Sequence, residues 1–177
     1  MSQRDILIIF GTTASGKSYI ANKVADKNDA AIINSDSLQI YKDLNVLTDR
    51  PSEQIISRYD HRLYGILNGN NNCTAALWLD KAIEEINLCF KENILPIIVG
   101  GTGLYIKVLM EGISQIPAIK KEIKEEVDSL LKSKGIAFLY NEIKNKYNET
   151  KISSNDKQRI VRSYSLLKQT NKVLEEW

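Results

Sequence analysis

A run of residues near the start of the chain has the types and spacing of a phosphate-binding loop: Gly11-Thr12-Thr13-Ala14-Ser15-Gly16-Lys17-Ser18. It fits the pattern G-x-x-x-x-G-K-[ST] without a mismatch. The glycines let the backbone wrap around phosphate oxygens, and the N–H groups at a helix N-terminus then face the anion. Lys17 adds a positive charge, and Ser18 offers a hydroxyl to Mg²⁺. We therefore predict that residues 11–18 bind a phosphate-bearing ligand, with Ser18 as a magnesium ligand.

Asp36 is the best candidate for an acid or base, because it follows a second apolar stretch, residues 30–34. Ligands of open α/β sheets bind at the carboxyl ends of the strands, where the phosphate loop also lies. A carboxylate at that edge could accept a proton from a nucleophile. The alternative is helix capping, since Asp36 and Gln39 have the spacing of a capping pair. The position at a strand end favours the functional role.

Further polar groups follow later strands and helices. Thr102 lies in a glycine-rich run, residues 100–103, which indicates either a second anion loop or simply a strand end. Arg159 and Arg162 are three residues apart on one predicted helix face and suit diphosphate or RNA phosphates, although such pairs often lie free on a surface. The strand before Gly100 ends without an acidic residue, which favours a small transferase or kinase over a nucleotide hydrolase. We expect His61 to be structural.

The hydrophobic pattern predicts alternating strands and helices in the first two thirds of the chain. Strands are expected at 6–10, 30–34, 61–66 and 95–99, and helices at 17–26, 52–59, 74–91 and 104–111. Only helices follow, at 119–133, 136–147 and 155–169. This is typical of an α/β fold whose parallel sheet has helices on both faces, plus a helical insertion. We predict a core at 1–115, an insertion at 116–154, and a return helix at 155–177 that packs on the core.

The composition is that of a water-soluble protein. The chain has 177 residues, of which 43% are hydrophobic and 26% charged, with a net charge of +2. These values predict one domain, or one with a small appendage. No signal peptide or membrane span is expected, and we expect a cytoplasmic monomer with reduced cysteines. A cluster of lysines after residue 119 indicates either a solvated helix face or a phosphate-contacting surface.

Six blocks in order resemble the tRNA dimethylallyltransferase family, the tRNA isopentenyl-pyrophosphate transferases. They are the phosphate loop and residues 36–41, 48–52, 61–65, 96–105 and 155–162. The resemblance spans nearly the whole chain and implies a P-loop NTPase-like core. It also implies transfer of a dimethylallyl group from dimethylallyl pyrophosphate to N6 of the adenosine just 3′ of the anticodon. The expected partners are that donor and the tRNA anticodon stem-loop, with Mg²⁺ as cofactor.

The resemblance assigns roles to particular residues. Asp36 would take the N6 proton, Thr102 would orient the adenine, and Arg159 is implied as a third catalytic residue. The phosphate loop would hold diphosphate rather than ATP. Contacts with tRNA are implied for Asp36, Ser37, Leu38, Gln39, Thr102, Lys124, Gln158, Arg159, Ile160, Val161 and Arg162.

Two other functions stay open at this point. One is a small-molecule kinase that binds ATP in the same loop, with Asp36 as the base toward a substrate hydroxyl. The other is an inactive remnant that binds pyrophosphate or RNA without turnover. Typical family members continue well past Trp177, so the resemblance implies a C-terminally shortened form.

Overall fold

The computed structural model describes residues 5–114 and 116–177. They form two compact units: a sheet unit that extends to Ile113, and a helical unit, Ser114–Trp177. Within the described residues, no helix is both long and apolar enough to cross a bilayer.

The sheet unit alternates strands and helices along the chain. The described strands are β1 (Leu7–Phe10), β2 (Ala30–Asn34), β3 (Asp60–Arg62) and β4 (Leu95–Gly100). The helices are α1 (Lys17–Ala25), α2 (Glu53–Arg58), α3 (Ala75–Glu92) and α4 (Gly103–Glu111), with a 3₁₀ turn at Lys42–Leu44. All pairings are parallel, in the order β1-β4-β2-β3. The carboxyl ends of β1, β2 and β4 therefore lie side by side.

Both faces of this sheet are covered by helices. On one face Ile33 and Ile98 pack in a cluster with Trp78 of α3 and Tyr105 of α4. On the other face Ile32 and Ile97 pack with Ala21 of α1, among others. Because successive side chains of a strand point to opposite faces, each apolar strand supplies both clusters. The predicted parallel sheet with helices on both faces is confirmed.

Local signals set the bounds of α3. The Thr74 hydroxyl accepts a hydrogen bond from the Leu77 N–H at 3.1 Å and caps its N-terminus. Asn93 ends it in the left-handed conformation, which asparagine tolerates better than most residues. Its buried residues recur at helical spacing and include Trp78, Ala82 and Ile86. The prediction of a helix over 74–91 is confirmed.

The third strand is shorter than predicted. The pattern indicated residues 61–66, but β3 ends at Arg62 and the next residue, Leu63, has φ 62°. Leucine is uncommon in this left-handed region, so neither composition nor period predicts a turn here. After the turn, Gly65 donates its N–H to the Gln39 carbonyl oxygen at 2.9 Å. The chain then runs parallel to the segment that follows β2, where Leu67 pairs with Tyr41.

The helical unit contains α5 (Lys121–Lys146), α6 (Lys157–Thr170) and a 3₁₀ turn at Leu174–Glu176. Gly135 interrupts α5 with φ 79° and ψ 172°, between the two helices that the sequence predicts at 119–133 and 136–147. The core of this unit includes Val127, Leu139, Ile143 and Ile160. A core boundary at residue 115 and a last helix that packs on the sheet unit stay predictions.

Candidate active site

The phosphate loop connects β1 to α1 in the setting that the motif requires. Gly16 has φ 81° at the N-cap of α1, a conformation that glycine adopts without steric cost. Ala14, with φ 60°, is a second left-handed residue in the same loop. The first turn of α1 follows at once, so its unpaired N–H groups lie beside the loop. This arrangement gives an anion a helix terminus and a backbone that curves around it.

Lys17 and Ser15 contact other residues of the loop. Lys17 Nζ donates to the carbonyl oxygen of Thr12 at 2.5 Å. A Cβ on Gly11 would lie 3.2 Å from Ser15 Oγ, tighter than an ordinary contact. Glycine at position 11 therefore lets the two sides of the loop approach each other. Ser18 is exposed in the first turn of α1.

Asp36 lies two residues past the end of β2, where its carboxylate organises a turn. Its Oδ1 accepts from the backbone N–H of Leu38 at 2.9 Å and of Gln39 at 3.4 Å. Residues 37–40 form turns rather than a helix, so the helix-capping alternative is wrong. The Gln39 N–H does donate to Asp36, but the Gln39 carboxamide bonds Thr48 and Asp49 rather than the Asp36 N–H. A Cβ on Gly101 would lie 3.9 Å from Oδ2, so this second oxygen faces a residue without a side chain.

Thr102 connects the ends of β2 and β4. Its Oγ1 accepts from the Ser37 N–H at 3.0 Å, and its own N–H donates to the Ser35 carbonyl oxygen at 3.3 Å. The hydroxyl keeps its proton to donate elsewhere. A Cβ on Gly100 would lie 2.3–2.4 Å from three atoms of Ser35, so glycine is required where the two strands end. Thr102 is therefore bound to the turn that carries Asp36.

Gln39 fixes the following loop to this turn. Its Nε2 donates to the carbonyl oxygens of Thr48 at 2.8 Å and Asp49 at 3.4 Å. The resemblance assigned Gln39 to a contact with tRNA. At least its amide nitrogen is engaged with the protein backbone instead. Leu38, beside it, is 52% exposed.

The phosphate loop, Asp36 and Gln39 line one cleft of about 370 Å³ in the sheet unit, whereas Thr102 is not among its lining residues. Its lining residues are Thr13, Ala14, Ser15, Gly16, Lys17, Ser18, Tyr19, Asp36, Gln39, Thr48, Asp49, Val99 and Gly100. The candidate acid therefore lies in the same hollow as most of the phosphate loop.

Two tyrosines feel the charge of Asp36 without competing with it as a base. Burial raises the pKa of the Tyr64 hydroxyl well above its ordinary value, and the charge of Asp36 adds to the shift. Burial also raises the pKa of Tyr105, helped by the hydrogen bond that it donates to Cys73 Sγ at 3.5 Å. Both phenols therefore stay neutral at ordinary pH.

The donor set of the cleft fits magnesium. Ser18 supplies a hydroxyl to the cleft, and Mg²⁺ prefers oxygen ligands, which it takes from one or two side chains together with substrate phosphates. In the described part of the chain no group of three or more His, Cys, Asp or Glu side chains could hold a metal ion. A diphosphate would therefore have to supply part of the coordination.

A second cleft, of about 730 Å³, lies in the helical unit. Its polar residues are Lys124, Asp128, Asp156, Gln158, Arg159, Arg162 and Ser165, with Ile119, Val127 and Val161 between them. Asp156 caps α6 by accepting from the Arg159 N–H at 3.0 Å, and its carboxylate is 3.5 Å from Arg159 Nε. Ile160 is fully buried in the core, so its side chain has no surface for a contact with RNA.

Two residues that support the site, Asn34 and Trp78, were not predicted from the sequence to do so. Asn34 is fully buried at the last position of β2 and hydrogen-bonds the backbone of Asp36. Trp78 Nε1 donates to the Asn34 carbonyl oxygen at 2.8 Å. The available signal was an amide residue at the end of an otherwise apolar strand, since buried polar groups need partners. His61, as expected, has a structural setting: its Nδ1 bonds the Tyr59 carbonyl oxygen at 3.0 Å.

Comparison with known proteins assigns the family. The model of the IPP transferase family matches residues 39–177. The chain belongs to this family. The resemblance inferred from the six sequence blocks is thereby confirmed.

Relatives and solved structures of the IPP transferase family extend the match over the phosphate loop. The tRNA dimethylallyltransferase of Zymomonas mobilis is 40% identical over 172 residues, which are 97% of this chain and 54% of the relative. That of Anaplasma phagocytophilum is 36% identical over 176 residues, 99% of this chain and 55% of the relative. The chain spans about half the length of these curated relatives.

A solved eukaryotic dimethylallyltransferase acting on tRNA has a TM-score of 0.83 and 25% identity, covering 97% of this chain and 43% of that one. The tRNA isopentenylpyrophosphate transferase of Staphylococcus epidermidis has a TM-score of 0.57 and 26% identity. It covers 97% of this chain and 56% of that protein. These neighbours support the P-loop NTPase-like fold assigned to the IPP transferase family.

Proposed function

We propose that the protein transfers a dimethylallyl group from dimethylallyl diphosphate to N6 of the adenosine just 3′ of the anticodon of a tRNA. The observation that carries this proposal is the presence of Asp36 in the same cleft as the phosphate loop. The relatives named tRNA dimethylallyltransferase favour it over a small-molecule kinase.

In this proposal residues 11–18 hold the diphosphate of the donor. The N–H groups of the loop and of the first turn of α1 donate to its oxygens, and Lys17 exchanges the Thr12 carbonyl oxygen for a phosphate oxygen. Mg²⁺ bound by Ser18 and diphosphate oxygens would neutralise charge on the leaving group. The loop thereby stabilises the charge that develops as the C–O bond to the donor breaks.

Asp36 acts on the acceptor. N6 of adenine forms the new bond to C1 of the dimethylallyl group, diphosphate leaves, and the N6 proton passes to Asp36. Oδ1 is already engaged by two backbone N–H groups, so we assign the proton to Oδ2. Thr102, whose hydroxyl can still donate, would orient the adenine.

The helical unit would contact the RNA. Lys124, Gln158 and Arg162 line its cleft together with Arg159, and cationic side chains bind phosphates with little dependence on base sequence. The target base must leave the anticodon loop to reach a carboxylate in a cleft. We further propose that the protein acts in the cytoplasm as a monomer.

The test is direct transfer. The protein is incubated with dimethylallyl diphosphate, Mg²⁺ and an unmodified anticodon stem-loop, and the RNA is measured by mass spectrometry. We expect the mass to rise by one dimethylallyl group in place of hydrogen. A stem-loop with inosine at the target position, which lacks N6, is the matched control and should stay unmodified. Binding without product would overturn the proposal in favour of an inactive remnant, and phosphoryl transfer from ATP to a metabolite in favour of a kinase.

A further inference from the structure

Asn34 holds the backbone of Asp36 with a fully buried side chain. Its Oδ1 accepts from the Asp36 N–H at 2.8 Å, and its Nδ2 donates to the Asp36 carbonyl oxygen at 3.0 Å. One carboxamide therefore binds both backbone polar groups of the candidate base. A shift of this carboxamide would move the peptide that carries the carboxylate.

The same side chain also reaches the end of β3. Nδ2 donates a second hydrogen bond, of 3.1 Å, to the carbonyl oxygen of Leu63. Leu63 has the left-handed φ of 62°, which persists in a leucine only where surrounding contacts hold it. Both N–H groups of the Asn34 carboxamide are then used. Its orientation is fixed by the carbonyl oxygens of Asp36, after β2, and Leu63, after β3.

Trp78 holds Asn34 from the other side. Its Nε1 donates to the Asn34 carbonyl oxygen at 2.8 Å in the core. The indole is fully buried and stacks on Tyr105, with ring centroids 4.5 Å apart and planes at 8°. The packed core of α3 and α4 is thus connected through Asn34 to Asp36.

We propose that Asn34 is a positioning residue, which holds Asp36 where its carboxylate can take the proton from the acceptor. This inference rests on the proposed prenyl transfer. Displacement of a reacting group by about 1 Å commonly costs on the order of 100-fold in rate. The Asn34 side chain has no hydrogen bond to the phosphate loop among those described, so we expect donor binding to change little when it is replaced.

The first experiment compares kcat with KM in Asn34→Ala. We expect kcat to fall about 10- to 100-fold, with KM for dimethylallyl diphosphate within about twofold of the wild type. The matched control is Ile86→Ala, a buried residue of the same core cluster as Trp78 whose apolar side chain makes no hydrogen bond to Asn34 or Asp36. It should lower the melting temperature while leaving kcat unchanged at a temperature where both variants are folded. An equal loss of kcat in the control would overturn the proposal.

Two further variants test the same point, of which Trp78→Phe leaves Asn34 in place should Asn34→Ala fail to fold. Asn34→Asp keeps the acceptor for the Asp36 N–H but turns an anionic oxygen toward two carbonyl oxygens. Trp78→Phe keeps an aromatic ring but loses the bond to the Asn34 carbonyl oxygen together with part of the buried ring. We expect a fall in kcat for both, larger in Asn34→Asp, without a matching rise in KM. A rise in KM alone would contradict a positioning role.

A readout without turnover separates this inference from the proposed function. The N–H groups of Leu38 and Gln39 donate to Asp36 Oδ1 and do not touch Asn34 in the described bonds. In Asn34→Ala we expect faster amide exchange and shifted resonances at these two groups, with pyrophosphate affinity unchanged. Unaltered signals would overturn the positioning role even in an active enzyme. If the signals change in Asn34→Ala but the wild-type protein transfers no dimethylallyl group, only the proposed function would be refuted.

Discussion

The clefts of the two units are formed by different chemical groups, backbone atoms in one and charged side chains in the other. In the sheet unit, backbone atoms form the cleft or hold its side chains: N–H groups follow β1, and backbone groups bond the side chains of Asp36 and Gln39. In the helical unit, charged side chains on exposed helix faces form the cleft, and Arg159 is 70% exposed beside Asp156.

This difference suits the first cleft to holding a reacting centre and the second to contacting RNA. Backbone groups at the ends of packed strands cannot rearrange cheaply, so the sheet unit can present fixed donors and one acid to a reacting centre. Long exposed side chains can follow an irregular phosphate backbone, at the cost of their conformational entropy. We therefore expect substitutions in the first cleft to change rate and donor binding, and those in the second to change RNA affinity and its salt dependence.

The largest expected effect is that of Asp36→Asn. The amide keeps the size of the side chain and an acceptor for the turn, but it cannot take a proton. We expect kcat to fall by about 10²- to 10⁴-fold, the usual range for loss of a general base. Pyrophosphate affinity, measured by calorimetry, should stay at the wild-type value. Normal turnover in this variant would refute the assignment of the base.

Gly100→Ala should strongly destabilise the sheet unit. A Cβ at this position would lie 2.3 Å from the carbonyl carbon of Ser35, in a region where backbone must move to make room. We expect a loss of about 3 kcal/mol in the free energy of unfolding, measured with urea. Gly103→Ala is the control, because its Cβ would make an ordinary contact of 3.7 Å with Phe10. Equal stability of the two variants would contradict the close approach of the strand ends.

Lys17→Met should weaken binding of the donor. The variant keeps the length of the side chain and removes the charge that would contact diphosphate oxygens. A lost charge-assisted hydrogen bond costs about 1.5–3 kcal/mol, so Kd for pyrophosphate should rise roughly 10- to 150-fold. Calorimetry with pyrophosphate and Mg²⁺ measures this directly. Unchanged affinity would rule out the phosphate loop as the binding site.

Arg162→Gln should have a smaller effect, confined to RNA. It removes one cation from the cleft of the helical unit. We expect the slope of log Kobs against log salt for a stem-loop to become shallower by about one unit, with donor binding unaffected. Lys121→Gln is the control, because Lys121 is 84% exposed beside Glu125 and is not among the cleft residues. An equal change of slope in both variants would indicate a diffuse surface rather than a cleft.

The smallest expected effect is a pH dependence of stability from His61. Burial lowers the pKa of its imidazole below the ordinary value of 6.5. As the pH falls below 6.5, the unfolded chain takes up a proton before the folded one, so stability falls until the folded pKa is passed. His61→Gln should therefore lose less melting temperature between pH 7.5 and pH 5 than the wild type. Parallel curves would show that the histidine does not titrate differently on folding.

The elements with the strongest patterns were predictable. The bounds of β2 agree with the prediction over 30–34, because a short apolar run between polar loops has few alternatives. The break in α5 was marked by Gly135. The early end of β3 was not predictable, since Leu63 has no intrinsic preference for the left-handed conformation that it adopts.

The phosphate loop and the family follow from residue types and spacing alone, because a loop that binds an anion through its backbone needs glycines at particular positions. The surroundings of Asp36 do not follow from residue types and spacing. Asn34 bonds its backbone, Gly101 after another strand faces its carboxylate, Thr102 bonds the neighbouring Ser37, and Asn34 in turn bonds Leu63 and Trp78. Apart from the bonds between Asn34 and Asp36, these contacts join residues that are distant along the chain, and they exist only once parallel strands have placed their carboxyl ends at one edge of the sheet.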